Sequence, residues 1–75
     1  MFGLNESTQY YVCQRYVRMN MGINGLYQIV RNEMELPPLG GAVFIFFSKN
    51  RQQVKMLKWD GDGFLLYQKR LERGT

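Results

Sequence analysis

Seven cations crowd the last third of this 75-residue chain: Lys49, Arg51, Lys55, Lys58, Lys69, Arg70 and Arg73. Against them stand only Asp60, Asp62 and Glu72, whereas Arg15, Arg18 and Arg31 are balanced by Glu6, Glu33 and Glu35 in residues 1–48. The net charge of +4 therefore belongs wholly to residues 49–75. One-sided positive charge suits a polyanion, and lysine and arginine seek phosphate oxygens without reading base sequence. Trp59 and Tyr67 interleave with Lys55, Lys58, Lys69 and Arg70. That order would set aromatic platforms beside phosphate-seeking cations, as single-stranded nucleic acid requires. A lone tryptophan in so small a domain reads more naturally as a core anchor, which leaves the cations as the binding set.

Other chemistry finds little support. The chain has no histidine, which removes imidazole acid–base catalysis and histidine-ligated metal. Its one cysteine, Cys13, excludes an internal disulfide and reads as a small buried hydrophobe within a strand. Asp60-Gly61-Asp62-Gly63 offers two carboxylates, the seed of a metal-dependent nuclease. A third acidic ligand in register is lacking, and position 12 counted from Asp60, where a calcium loop closes with glutamate, is Leu71. The same residues make a strong turn, because Asp-Gly supplies the positive φ of tight hairpins. Gly22-Ile23-Asn24-Gly25 lacks the spacing of a phosphate-binding loop and reads as the start of a helix. No cofactor and no metal are expected.

The elements that must position these residues follow from hydrophobic periodicity. Residues 9–17 are rich in aromatic and β-branched types and read as a strand, with Tyr11, Cys13 and Val17 on one face. Ile23, Leu26, Tyr27, Val30 and Met34 form one stripe of an amphipathic helix, with Asn20 or Asn24 as candidate caps. Pro37-Pro38 stops it. Ala42 to Phe47 is apolar on both alternating faces and reads as a strand covered on both sides. A polar loop over 48–52 leads into a strand over 53–59, and Phe64 to Leu71 forms the last strand.

The sum is β-α-β-β-β, a small two-layer α+β domain with one helix on a mostly antiparallel sheet. The sheet face away from the helix carries large apolar groups and calls for a cover. Composition, at 45% hydrophobic and 21% charged, is that of an ordinary globular domain. Ala42 to Phe47 is far short of the roughly 20 residues a membrane helix needs, and no signal peptide is evident at the N-terminus. A cytoplasmic protein is expected.

Two stretches resemble a known family. Trp59-Asp60-Gly61-Asp62-Gly63-Phe64-Leu65-Leu66-Tyr67-Gln68-Lys69-Arg70-Leu71-Glu72-Arg73-Gly74 is similar to the signature W-D-x-x-G-F-x-L-Y-x-K-R-L-E-x-G of the TnpB-type accessory proteins of the insertion sequence sixty-six family. Gly41 to Phe46 resembles that family's G-A-V-F-V-F strand, and Gly22 to Leu26 its G-x-D/N-G-L helix start. On this resemblance Trp59, Asp60, Gly63, Tyr67, Lys69, Arg70, Leu71 and Glu72 are the motif residues. Polar residues 1–8 read as a loose N-terminus of a single domain, 1–75, and the likeness gives a family-like core at 9–74 and implies that the family's C-terminal segment is absent. Arg18-Met19-Asn20-Met21-Gly22 departs from the family's D-M-R-K-G, so a contact made through that Arg-Lys pair is not carried over. The resemblance implies a non-enzymatic accessory role in transposition, beside a separate transposase. The expected partners are DNA, that transposase and a second copy of the chain, with no membrane. An adaptor that docks or dimerises through the uncovered sheet face is the alternative.

Overall fold

The computed structural model of the chain describes residues 7–72. Its elements run β1 (Tyr10–Val12), α1 (Ile23–Gln28) with a π-helical continuation (Ile29–Glu33), β2 (Val43–Phe47), β3 (Gln53–Trp59) and β4 (Phe64–Arg70). The sheet order is β1-β2-β3-β4. β1 pairs with β2 in parallel, and the other two pairings are antiparallel. The fold is the α+β arrangement expected, β-α-β-β-β, with the helix in the parallel crossover.

Alternation along the strands sorts side chains onto two faces. Phe44 and Phe46 of β2 and Leu57 of β3 meet Leu26, Ile29 and Val30 of the helical segment, together with Cys13 and Val17. Phe44, Phe46, Leu26, Leu57 and Val30 are almost wholly buried. Tyr11 stacks on Phe44 at 5.8 Å, and Tyr27 of α1 sets its edge against Phe64 of β4 at the same separation. Val43 and Val54 are buried outside this cluster, on the opposite face. That face also carries Tyr10, Val12, Ile45, Phe47, Met56, Leu65 and Tyr67 by register. No described element lies over it, and Tyr10, Val12 and Tyr67 are about half exposed.

Several expectations are corrected. The first strand is three residues, not nine. Cys13 N–H still donates to Ile45 O, but the chain swings out over Gln14-Arg15-Tyr16 before Val17 N–H returns to Phe47 O. Four residues of one strand thus cover two of its neighbour, a bulge that leaves Tyr16 outside. The helix is capped by Gly22, with no side-chain bond from Asn20 or Asn24. Ile29, which the expected stripe left out, is buried too, as the i+3 neighbour of Leu26, and from Ile29 the segment continues as a π turn. Ile45 and Phe47 are only partly buried, because no element of the described residues lies over their side of β2. Trp59 is not the core anchor. As the last residue of β3 it sits at the sheet margin, half-buried, edge-on to Phe64 at 5.0 Å.

The helical segment ends at Glu35, whose φ is +56°. Leu36 N–H donates to Val30 O, six positions back and one more than in the usual glycine-type helix stop, because the preceding turn is π-helical. A glutamate there holds a left-handed backbone that costs an L-residue about 1–2 kcal/mol. Glu35→Gly is expected to stabilise the domain by about 0.5–1 kcal/mol after glycine's extra chain entropy is counted. Thermal unfolding would show it as a Tm about 2–8 °C higher. An unchanged or lower Tm would refute the reading.

Candidate nucleic-acid interface

β3 runs from the β2–β3 turn toward the Asp-Gly turn, and β4 returns. The two turns therefore lie at opposite ends of the sheet, and charge separates between them. Asp60 and Asp62 occupy the β3–β4 turn, where Asp60 N–H donates to Gly63 O at 2.7 Å and Gly61 takes φ +87°. At the other end, Lys49 and Arg51 project from the β2–β3 turn. Lys69 and Arg70 end β4 beside them, paired in register with Val54 and Gln53. Leu71 N–H donates to Gln52 O at 2.6 Å, which ties the end of β4 to the turn. All four of these cations are exposed.

The turn is built by its own polar side chains. Ser48 Oγ donates to Asn50 Oδ1 at 2.8 Å and accepts Gln53 N–H at 3.1 Å. Asn50 Oδ1 also accepts Gln52 N–H at 2.9 Å, the local side-chain bond that favours asparagine in turns. Arg51 is left with φ +61°, where glycine or asparagine would be the cheap choice. Its guanidinium Nε donates to Tyr16 Oη at 3.0 Å, reaching the bulge beyond β1. The guanidinium also lies 5.9 Å from the centre of the Tyr16 ring, so the same side chain holds the bulge against the turn.

The sequence-predicted cations are not gathered on one sheet surface. Lys55 lies on the helix face, 5% exposed, and its Nζ donates to Met21 O at 2.7 Å, just ahead of α1. Its ammonium is thus committed to holding the helix start against the sheet. Lys58 alternates to the other face, is 8% exposed, and lies 3.9 Å from Asp60 Oδ1 at the acidic end. Lys69 is on the open face and Arg70 on the helix face by register. Arg70 has Glu72 at 3.9 Å, with both side chains largely in solvent, a pair of little energetic weight. Arg73 lies outside the described residues. Among the described residues, no carboxylate lies within ion-pair distance of Lys49 or Lys69.

One cation joins that sequence reasoning did not select. Arg18 shares a shallow hollow with Lys49, Asn50 and Gln53 at the same end. The signal was parallel pairing. Once β1 runs alongside β2, the chain leaving β1 must pass the end of β2, and Arg18 follows Val17, which bonds Phe47 O. Arg15, by contrast, is committed to Glu33 on the helical segment, at 2.6 Å from Nε to Oε1.

That link carries a pH prediction. The hydrogen bonds from Arg15, followed by its positive charge, hold the Glu33 carboxyl below its ordinary value of 4.5. A depressed carboxylate contributes its stability above the unfolded value and loses it as pH falls through the folded one. The wild type should therefore lose more stability than Glu33→Gln on acidification below about pH 4.5, read by denaturant midpoints. Parallel pH profiles for the two proteins would refute it.

Fold and charge together define a class: a small α+β domain with an open apolar sheet face and a basic end built from two strand junctions and a bulge. Residues 8–75 match the model of the family described as IS66 Orf2 like protein. The chain belongs to that family. It is 31% identical over 74 residues to Uncharacterized protein y4jC of Sinorhizobium fredii (strain NBRC 101917 / NGR234), covering 99% of this chain and 63% of that protein. It is 28% identical over 74 residues to Uncharacterized protein y4hO of the same strain, covering 99% and 64%. The chain thus spans a little under two thirds of the length of these relatives. No solved structure matches it. The family motif makes the β3–β4 hairpin. Trp59 and Asp60 close β3, Gly63 closes the turn, Tyr67 lies on the open face, and Lys69 to Glu72 leave β4 at the basic end. Among the described residues, no helix is long and apolar enough to cross a membrane.

Proposed function

We propose that this chain is a non-enzymatic accessory factor in the transposition of a bacterial insertion sequence. In this reading it holds DNA through phosphate contacts at the basic end of its sheet. Lys49, Arg51, Lys69 and Arg70 make the contacts, with Arg18 beside them. The carrying observation is the convergence of these exposed cations from separate segments. Such contacts give affinity and orientation but no base readout.

Counterion release provides the test. About four phosphate contacts give a log–log slope near −3.6 on duplex DNA, or roughly a 100-fold loss of affinity between 50 and 200 mM salt. Fluorescence anisotropy with a labelled duplex measures this directly. Absence of binding at 50 mM salt, or binding indifferent to salt, defeats the proposal.

A second reading is an adaptor that docks on the element's transposase. The half-exposed Tyr10, Val12 and Tyr67 on the uncovered sheet face favour it. Pull-down of the transposase by the wild type but not by Val12→Asp would support it, and equal capture by both would count against it.

A further inference from the structure

β4 is an edge strand, and hydrogen-bond parity determines what its free side offers. Asp60 N–H donates to Gly63 O, and Leu71 N–H to Gln52 O. With the β3–β4 register, these bonds direct the backbone groups of Gly63, Leu65, Tyr67, Lys69 and Leu71 toward β3. Those of Phe64, Leu66, Gln68 and Arg70 point away from the sheet. None of these four has a backbone partner on that side among the described residues. The edge is seven residues long, unbroken by a bulge in its register with β3, and exposes Leu66 and Tyr67. Natural edges of this kind are covered, charged or bulged. Here charge guards only the final two residues, Lys69 and Arg70.

We propose that this edge pairs antiparallel with β4 of a second copy, in the register that places Tyr67 opposite Tyr67 of the partner chain. The occupant follows from the strand's self-complementarity. In this register the outward groups of Phe64 meet those of Arg70, and those of Leu66 meet those of Gln68, so every free N–H and C=O of the edge is used. Leu65 lies opposite Lys69, so no cation faces a cation. An in-register parallel pairing would set Lys69 on Lys69 and Arg70 on Arg70, which like-charge repulsion disfavours. The antiparallel pair also carries the two basic ends to opposite sides of an eight-stranded sheet. It uses a strand edge, and leaves the open sheet face free.

The same parity supplies a selective test. Proline at 68 removes an outward N–H without removing a β3 ladder bond. Sedimentation equilibrium of the wild type should show concentration-dependent association toward twice 8.9 kDa, and Gln68→Pro should stay at one chain mass with its far-UV circular dichroism kept. Independently, Tyr67→Cys falls at a non-hydrogen-bonded pair on the twofold axis. There Cα atoms approach about 4.5 Å, within disulfide reach. Mild oxidation should join Tyr67→Cys into disulfide dimers far faster than Leu66→Cys, while the buried Cys13 stays apart. The cysteine pair decides the matter if Gln68→Pro fails to fold. A wild type that stays at one chain mass across the concentration range, including one that captures only a foreign strand, overturns the proposal. So does cross-linking that does not favour position 67. Neither result bears on the salt-dependent DNA binding above.

Discussion

Replacing Lys49, Arg51, Lys69 and Arg70 together by glutamine is expected to lower duplex affinity at 50 mM salt by roughly tenfold to a hundredfold. The salt slope should flatten by about three to four units, since each lost phosphate contact removes about 0.9. All four side chains are exposed at one end of the sheet, so the substitutions leave the core intact. Lys55→Met is the matched control. Its ammonium is buried against Met21 O and is unavailable to a polyanion, so affinity and slope should match the wild type. If Lys55→Met weakens binding as much as the quadruple variant, or the quadruple variant binds like the wild type, the basic end is not the interface.

Phe44→Ala is expected to have the largest effect on stability. Phe44 is fully buried at the centre of the sheet, stacked on Tyr11 and packed against the helical segment. Truncating a core phenylalanine costs about 3–5 kcal/mol. A 75-residue domain holds only about 4–11 kcal/mol in all, at 0.05–0.15 kcal/mol per residue. The variant should therefore unfold more than 10 °C below the wild type, at roughly 4–8 °C per kcal/mol. Val12→Thr, on the exposed side of β1, should stay within about 0.5 kcal/mol. Equal Tm values for Phe44→Ala and the wild type would mean that the core is misplaced.

The two proposals join in one picture. A basic end that grips phosphates and a free edge that pairs with its own copy would hold two DNA contacts in fixed relation. Each part rests on separate atoms, the turn side chains on one hand and the β4 backbone on the other. In that arrangement the open apolar face would stay unoccupied by either contact.

Residue order alone was enough for the element sequence, the existence of two alternating faces on β3, the Asp-Gly hairpin and the positive excess after residue 48. Each follows from a local period or a turn preference that neighbours along the chain settle between themselves. It was also enough for the family, because the run from Trp59 to Glu72 is one unbroken hairpin. Which cations meet was decided only by tertiary structure. Lys55 and Lys58 lie three residues apart on one strand, yet alternation and the placement of the helix turn one into a helix anchor and seat the other beside Asp60. Arg18, 31 positions before Lys49 in sequence, becomes its neighbour because β1 runs parallel to β2 and the chain must leave past its end. Trp59 sits at the margin because β3 stops at the Asp-Gly turn, a boundary the sequence marks, but that the helical core does not reach over it was decided only by packing. A strand's period says that two faces exist. Only packing decides which face the helix takes, and with it which charges remain in water.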